Sequence, residues 1–188
     1  MSKEFITFMR NRVSQSLLIT PAPTTIEWTS ILSAASRAPD HGNLKPWRFR
    51  IYEGEGRTKL GQVYWQHALS EVNSIPANKE EAFIKKAFRA PTVLLVYANI
   101  QKHPKVPEIE QVMAVSAATQ QVLLGLSALG YGAIWRSGPA CFTQKTKALL
   151  SLKETDQIVG LIYVGTPKEK PSSIPEVDLE NHLEWVRD

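Results

Sequence analysis

The residues that could do chemistry gather in three short segments beside stretches that read as core. They are Arg12-Val13-Ser14, then residues 37–49 (Arg-Ala-Pro-Asp-His-Gly-Asn-Leu-Lys-Pro-Trp-Arg-Phe), and Gly132-Ala133-Ile134-Trp135-Arg136-Ser137-Gly138. Taken singly, each has an ordinary reading as a helix end, a helix-to-strand loop or a strand end, and arginines usually sit at surfaces. His41 stands apart from the other histidines because it shares its loop with Asp40, Gly42, Asn43 and Lys45. His67 reads as a half-buried helix residue and His103 as a loop residue, and with His182 the spacing forms no metal-site pattern. Cys141 is the only cysteine, so no internal disulfide can form, which fits a reducing compartment. It lacks any nucleophile signature and reads as a packed thiol. P-loop, HExxH, paired CxxC and G-x-S-x-G patterns are all missing. Gly130-Tyr131-Gly132 follows a helix where a dinucleotide fingerprint would open one. Gly54-Glu55-Gly56 would set a carboxylate beside any bound phosphate and reads as a plain turn.

The elements that must position these segments are legible in order. Residues 3–10 read as a short helix, and Pro21 and Pro23 break the chain after it. Thr24 and Glu27 make a capping-box pattern, followed by Trp28, Ile31, Leu32 and Ala35 at helical spacing. Pro39 ends that helix, because its ring disfavours a helical predecessor. Trp47, Phe49 and Ile51 alternate with Arg48, Arg50 and Tyr52, the period of a strand. Leu60, Val63, Tyr64, His67 and Ala68 form a helical stripe, and Asn78 with Glu81 starts a further helix that ends before Pro91. Residues 92–98 and 158–164 are apolar runs that suit strands buried on both faces. Residues 108–129 form the longest helix. Its middle is apolar on nearly all sides, so part of that surface is expected to meet another chain. Residues 133–135 read as a short strand, and a helix follows near 143–150. The expectation is one α+β domain over residues 1–188, with a central sheet of about four or five strands. The tail at 168–188 is either an arm packing on a partner subunit or a segment packed on its own domain.

Composition narrows the function classes. With 188 residues and 43% hydrophobic content the chain can bury a sizeable core. The net charge of +4 comes from scattered Lys and Arg interleaved with acids, and Lys85, Lys86 and Arg89 sit on what reads as a helix with Glu80 and Glu81. That is a solvated face and not a nucleic-acid groove. The N-terminal stretch carries Glu4 and no secretory pattern. The apolar runs at 92–98 and 122–126 are too short to span a membrane. A cytoplasmic protein without nucleic-acid or membrane partners is expected.

Together the segments resemble the nitroreductase family, specifically its small bacterial members. The resemblance runs from about Arg12 to Pro167. It rests on Arg37-Ala38-Pro39-Asp40-His41 followed by Pro46-Trp47-Arg48-Phe49, and on Glu53-Gly54-Glu55-Gly56-Arg57. It also rests on His103-Pro104-Lys105-Val106-Pro107 and Trp135-Arg136-Ser137-Gly138. The resemblance implies a nitroreductase-like fold, with a mainly antiparallel sheet flanked by helices, and flavin mononucleotide (FMN) held at a homodimer interface. It implies a catalyst whose flavin takes hydride at N5 from NADH or NADPH and passes electrons to nitroaromatics, quinones or similar small acceptors in two half-reactions. No catalytic side chain is then required, since the flavin carries the chemistry.

Carried over residue by residue, the resemblance assigns FMN binding to Arg12, Val13, Ser14, Arg37, His41, Asn43, Lys45, Trp135, Arg136 and Ser137. Arg12-Val13-Ser14 would hold the phosphate and ribityl chain, which suits the bidentate fork of a guanidinium. Gly125, Leu126, Ser127, Ala128, Leu129 and Gly130 align with a region linked to the nicotinamide cofactor, and they have an equally good helix-packing explanation. Two departures stand out. Leu17 occupies a position where the wider family often has a second arginine, so the phosphate must lean on Arg12, Arg136 or a tail lysine such as Lys168 or Lys170. Lys45 replaces a common glutamine before Pro-Trp. It reads either as a surface lysine or as a cation near the flavin N1/O2 edge. The competing classes are a protein that stores or senses flavin without turnover and, more weakly, a basic nucleic-acid binder.

Overall fold

Strand β5 (Gln157–Pro167) organises the molecule, and the computed structural model describes residues 2–72, 75–169 and 177–187 of the chain. β5 pairs antiparallel with β3 (Thr92–Ala98) from Thr92↔Val164 to Ala98↔Gln157. It pairs antiparallel with β4 (Gly132–Arg136) from Gly132↔Gly165 to Arg136↔Leu161. Because residues 161–164 pair with both, β3 and β4 lie on opposite edges of β5. β2 (Trp47–Glu53) adds to β3, and β1 (Leu18–Ile19) pairs with Pro167 and Thr166, so the 5-stranded sheet is antiparallel throughout.

Alternation along β3 and β5 supplies two cores. Leu94, Val96, Ile162 and Val164 face one way, against Trp28 and Ile31 of α2 (Thr25–Ala35) and Val115, Val122 and Leu126 of α5 (Glu108–Ala128). Val93, Leu95, Leu161 and Tyr163 face the other way, against Leu60 and Val63 of α3 (Gly56–Glu71) and Leu150, which follows α6 (Gln144–Leu149). A strand sandwiched between helices has no polar face to show, which is why both runs are apolar throughout.

The capping box forms as expected: the Glu27 backbone N–H donates to Thr24 Oγ1 at 3.3 Å, and the Thr24 N–H donates to the Glu27 carboxylate at 2.7 Å. α2 stops at Ala35, earlier than Pro39 alone would require. Ala38 cannot be helical before a proline, and the preceding turn tightens, with Arg37 and Ala38 N–H groups donating to Ala34 and Ala35. The helix expected from Asn78 is broken into a single turn, the five-residue α4 (Glu80–Ile84) and another single turn at Lys85–Phe88. α4 lies so close to α3 that a side chain at Gly61 would stand 2.7 Å from the Ile84 Cα. α5 buries one long face but exposes Ile109 and Met113, so its chain does not enclose it on all sides. α1 (Ser2–Asn11) leaves Phe5, Ile6 and Met9 exposed, and the tail does the same with Leu183, Trp185 and Val186. Among the described residues no helix is long and apolar enough to cross a membrane.

Candidate functional site

The first segment lies against the third. After α1 the chain runs beside β4, where the Gln15 N–H donates to the Ala133 carbonyl at 2.9 Å. A β-carbon at Gly132 would meet Gln15 Oε1 at 2.5 Å and Leu18 Cδ2 at 2.8 Å, so both side chains pack against the bare backbone there. Between them and the end of α5 opens a small polar cleft of about 50 Å³, lined by Arg12, Val13, Gln15, Ser127 and Tyr131 among others. Arg12 is half-buried, and its guanidinium has no hydrogen-bond or ion-pair partner among the described residues. Ser14 is exposed at the margin.

The second segment is a loop in sparsely populated backbone conformations. Gly42, Asn43 and Lys45 have φ of 73°, 53° and 50°. Left-handed non-glycine residues cost free energy and persist only where the surroundings over-determine them. Here the Asp40 carboxylate accepts the Lys45 N–H at 2.6 Å, and Arg48 donates to the Lys45 carbonyl at 2.9 Å. Gln101 Nε2 donates to the Leu44 carbonyl at 2.6 Å. Gln101 is itself gripped by Gln111, which accepts its backbone N–H at 2.9 Å and donates to its carbonyl at 2.7 Å. Gln111 is 1% exposed. Gln111→Leu would leave both Gln101 backbone groups unpaired. It should cost about 1–2 kcal/mol, toward the low end because water can reach half-buried Gln101, and a shift in the urea midpoint measures it. His41 and Arg37 are exposed, and His41 Nδ1 stands 2.6 Å from Glu110 Oε2 in the first turn of α5.

The third segment divides between the faces of the sheet. Trp135 lies on the α2/α5 side, where its Nε1 donates to the Val159 carbonyl at 3.1 Å. Arg136, next along the strand, points to the other side, with its guanidinium 5.8 Å from the Tyr163 ring and its Nε buried without a partner. Trp135 and Arg136 therefore do not present their side chains to one face of the sheet.

The stretch from Gly125 to Gly130 has clear structural duties. A β-carbon at Gly125 would press on Ile31 at 3.2 Å, and Gly130 takes φ 82°. The Gly130 and Tyr131 N–H groups donate to the Ser127 and Leu126 carbonyls at 3.1 and 2.9 Å, the Schellman pattern of a helix end. From this stretch Ser127 reaches the cleft. Burial pushes the Cys141 thiol up, as befits a packed cysteine. Leu17 is exposed, and the backbone N–H of Lys168 donates to its carbonyl at 2.9 Å, which brings that lysine beside it. Lys170 lies outside the described residues. Sequence reasoning missed Glu110, Gln111, Gln15 and Tyr131. Their roles depend on partners far along the chain, and no local pattern marks them.

The loop is held from Glu110 and Gln111, while the Arg12 cleft is lined by Leu123 and Ser127. At 1.5 Å per residue these ends of α5 are about 20 Å apart. A single protomer therefore does not bring the predicted ligand-binding segments together.

The sheet is antiparallel and five-stranded, with helices on both faces. A profile of the nitroreductase family matches residues 14–166, and the chain belongs to that family. It is 38% identical over 167 residues to the protein named "Putative NAD(P)H nitroreductase YdjA" in Escherichia coli K12, covering 87% of this chain and 88% of that one. It is 33% identical over 169 residues to a "Putative NAD(P)H nitroreductase" of Haemophilus influenzae Rd, covering 88% and 89%. Among solved structures, the nitroreductase-like family protein from Bacillus cereus superposes with a TM-score of 0.82 at 20% identity, covering 96% of this chain and 95% of that one. The FMN-dependent nitroreductase NfnB from Mycobacterium smegmatis, solved with NADPH, gives 0.76 at 13% identity and 99% coverage of both chains.

Proposed function

We propose that the protein is a homodimeric, FMN-dependent NAD(P)H oxidoreductase that reduces nitroaromatics, quinones or similar small acceptors. The observation that carries this reading is the split site. Two copies packed along α5 in opposite senses would bring the loop end of one helix beside the cleft end of the other. A two-fold axis does this with one self-complementary patch. The exposed Ile109 and Met113 on α5, the bare apolar face of α1 and the exposed tail residues Leu183 and Trp185 supply apolar surface for such a contact.

The donor set fits FMN. Arg12 offers an unpaired guanidinium for phosphate, and Val13, Ser14 and Gln15 flank it. Arg37, His41, Asn43 and Lys45 would meet the flavin from the strained loop, and the backbone around Trp135, Arg136 and Ser137 from the strand end. Bound there, FMN would supply the two-electron chemistry between NAD(P)H and the acceptor. The chain's work is to bind, orient and polarise. Ser127 is the nicotinamide-region residue with access to the same cleft, while Gly125 and Gly130 serve the helix.

The visible spectrum of the purified protein tests the reading. An oxidised-flavin spectrum with released FMN supports it, and bleaching by NADH or NADPH under argon separates an enzyme from a flavin store. A colourless protein that takes up no added FMN overturns it. Sedimentation as a monomer at working concentration overturns the shared site.

Lys45 carries a further prediction. Its backbone is fixed from both sides, and its ammonium has no partner among the described residues. A cation at the flavin N1/O2 edge favours the anionic reduced form by charge pairing. Lys45→Met should therefore lower the flavin midpoint potential, measured by dye-equilibrated reduction. An unchanged potential returns Lys45 to the surface.

A further inference from the structure

We infer that Glu110 is the positioning residue of His41, and that it sets which imidazole nitrogen is offered to the flavin; the cofactor half of this rests on the proposed function. The contact at 2.6 Å joins His41 Nδ1 to a carboxylate oxygen. An ionised carboxylate has no hydrogen to give, so Nδ1 carries the proton and Nε2 is left as the open nitrogen. In neutral histidine that nitrogen is an acceptor, and it would be free to take a hydrogen bond from a donor group of the bound flavin.

Glu110 does not act alone on the loop. The neighbouring Gln111 holds Gln101, and Gln101 holds the Leu44 carbonyl. Consecutive residues of the first turn of α5 thus reach both ends of the strained stretch, one through a side chain and one through the backbone. Gly42 adds to the fit, since a β-carbon there would press on Val106 at 3.1 Å just ahead of the helix.

The pair is not there to hold the fold together. Its side chains are 57% and 41% exposed, and exposed pairs contribute little stability. What an exposed pair can do is restrict a ring that would otherwise rotate and exchange tautomers.

The test reads the ring directly. Nitrogen-15 shifts of the His41 imidazole, assigned by their loss in His41→Gln, report the tautomer in cofactor-free protein. Wild type should show the proton on Nδ1. Glu110→Ala should move the population toward Nε2–H, whereas Glu110→Gln, whose amide oxygen still accepts, should keep it. FMN affinity should fall about threefold to tenfold in Glu110→Ala, the reach of one neutral hydrogen bond, and be largely restored in Glu110→Gln. Melting temperatures of all three cofactor-free proteins should coincide. An unchanged tautomer in Glu110→Ala overturns the inference, as does a changed tautomer with unchanged FMN affinity. If wild type takes up no FMN, the cofactor half falls with the proposed function, and the tautomer result still decides the positioning half.

Discussion

Gly160→Ala should destabilise the protein by about 2 kcal/mol, against the usual direction of a glycine-to-alanine change. Within a strand, alanine normally gains about 0.5–1 kcal/mol over glycine because the unfolded chain is less free. At position 160 the new methyl would collide with the indole Nε1 of Trp135 and lie 2.6 Å from its Cδ1. Trp135 is paired with Ile162, and its ring crosses β5 to reach the bare backbone at Gly160, where Nε1 donates to the Val159 carbonyl. Overpacking a fitted site costs about 1–3 kcal/mol, and losing the indole hydrogen bond adds about 1. The urea midpoint reads the sum. Trp135→Leu in the Gly160→Ala background should recover part of the loss, because the smaller side chain vacates the space. A Gly160→Ala protein as stable as wild type would mean that the indole does not lie there. The consequence reaches the site as well. A tryptophan read from sequence as a flavin contact is built here into the sheet, so Gly160→Ala should also weaken FMN by shifting the strand end at Arg136 and Ser137.

That double duty shows where sequence reasoning stops. The runs at 92–98 and 158–164, the Thr24/Glu27 cap and the Trp47/Phe49/Ile51 alternation were legible because local periodicity and capping chemistry decide them. β1 was not, since two residues carry no period, and Leu18 and Ile19 become a strand because β5 extends past β4 and offers them Pro167 and Thr166. The early end of α2 goes with a tightened turn, and the broken helix after Asn78 packs against α3 at Gly61, neither of which has a local signal. For the site, residue types were legible and their meeting was not. Trp135 and Arg136 read as neighbours in sequence, yet a strand's period of two sends them to opposite faces. His41 gave no hint of Glu110, a partner 69 positions away. The separation of Arg12 from the 40–45 loop along α5 can be seen only once the helix is placed, and it turns a list of ligand contacts into an argument for two copies.

Arg12→Ala should weaken FMN binding about tenfold to a hundredfold while leaving the cofactor-free fold as stable as before. The two halves have one cause. With no partner among the described residues, the guanidinium contributes little to holding the fold, and surface changes of this kind stay within about 0.5 kcal/mol. Its charge-assisted bonds to a phosphate are worth about 1.5–3 kcal/mol, which is that range in affinity. Other cations are poorly placed to replace it. Leu17 stands where a second arginine would help, and Arg136 turns to the Tyr163 face of the sheet. Lys168, hydrogen-bonded through its backbone to Leu17, brings a cation beside that position. Lysine brings charge without the fork, so Arg12→Lys should fall between wild type and alanine, and Lys168→Ala should cost less than Arg12→Ala. Ligand-linked stabilisation scales with affinity, so the rise in melting temperature on adding FMN should shrink in the same order from an unchanged cofactor-free baseline. Full flavin retention by Arg12→Ala after extensive dialysis would remove Arg12 from the phosphate site. A larger loss in Lys168→Ala would move that site toward the tail, where β1 and β5 bring Leu17 and Lys168 together.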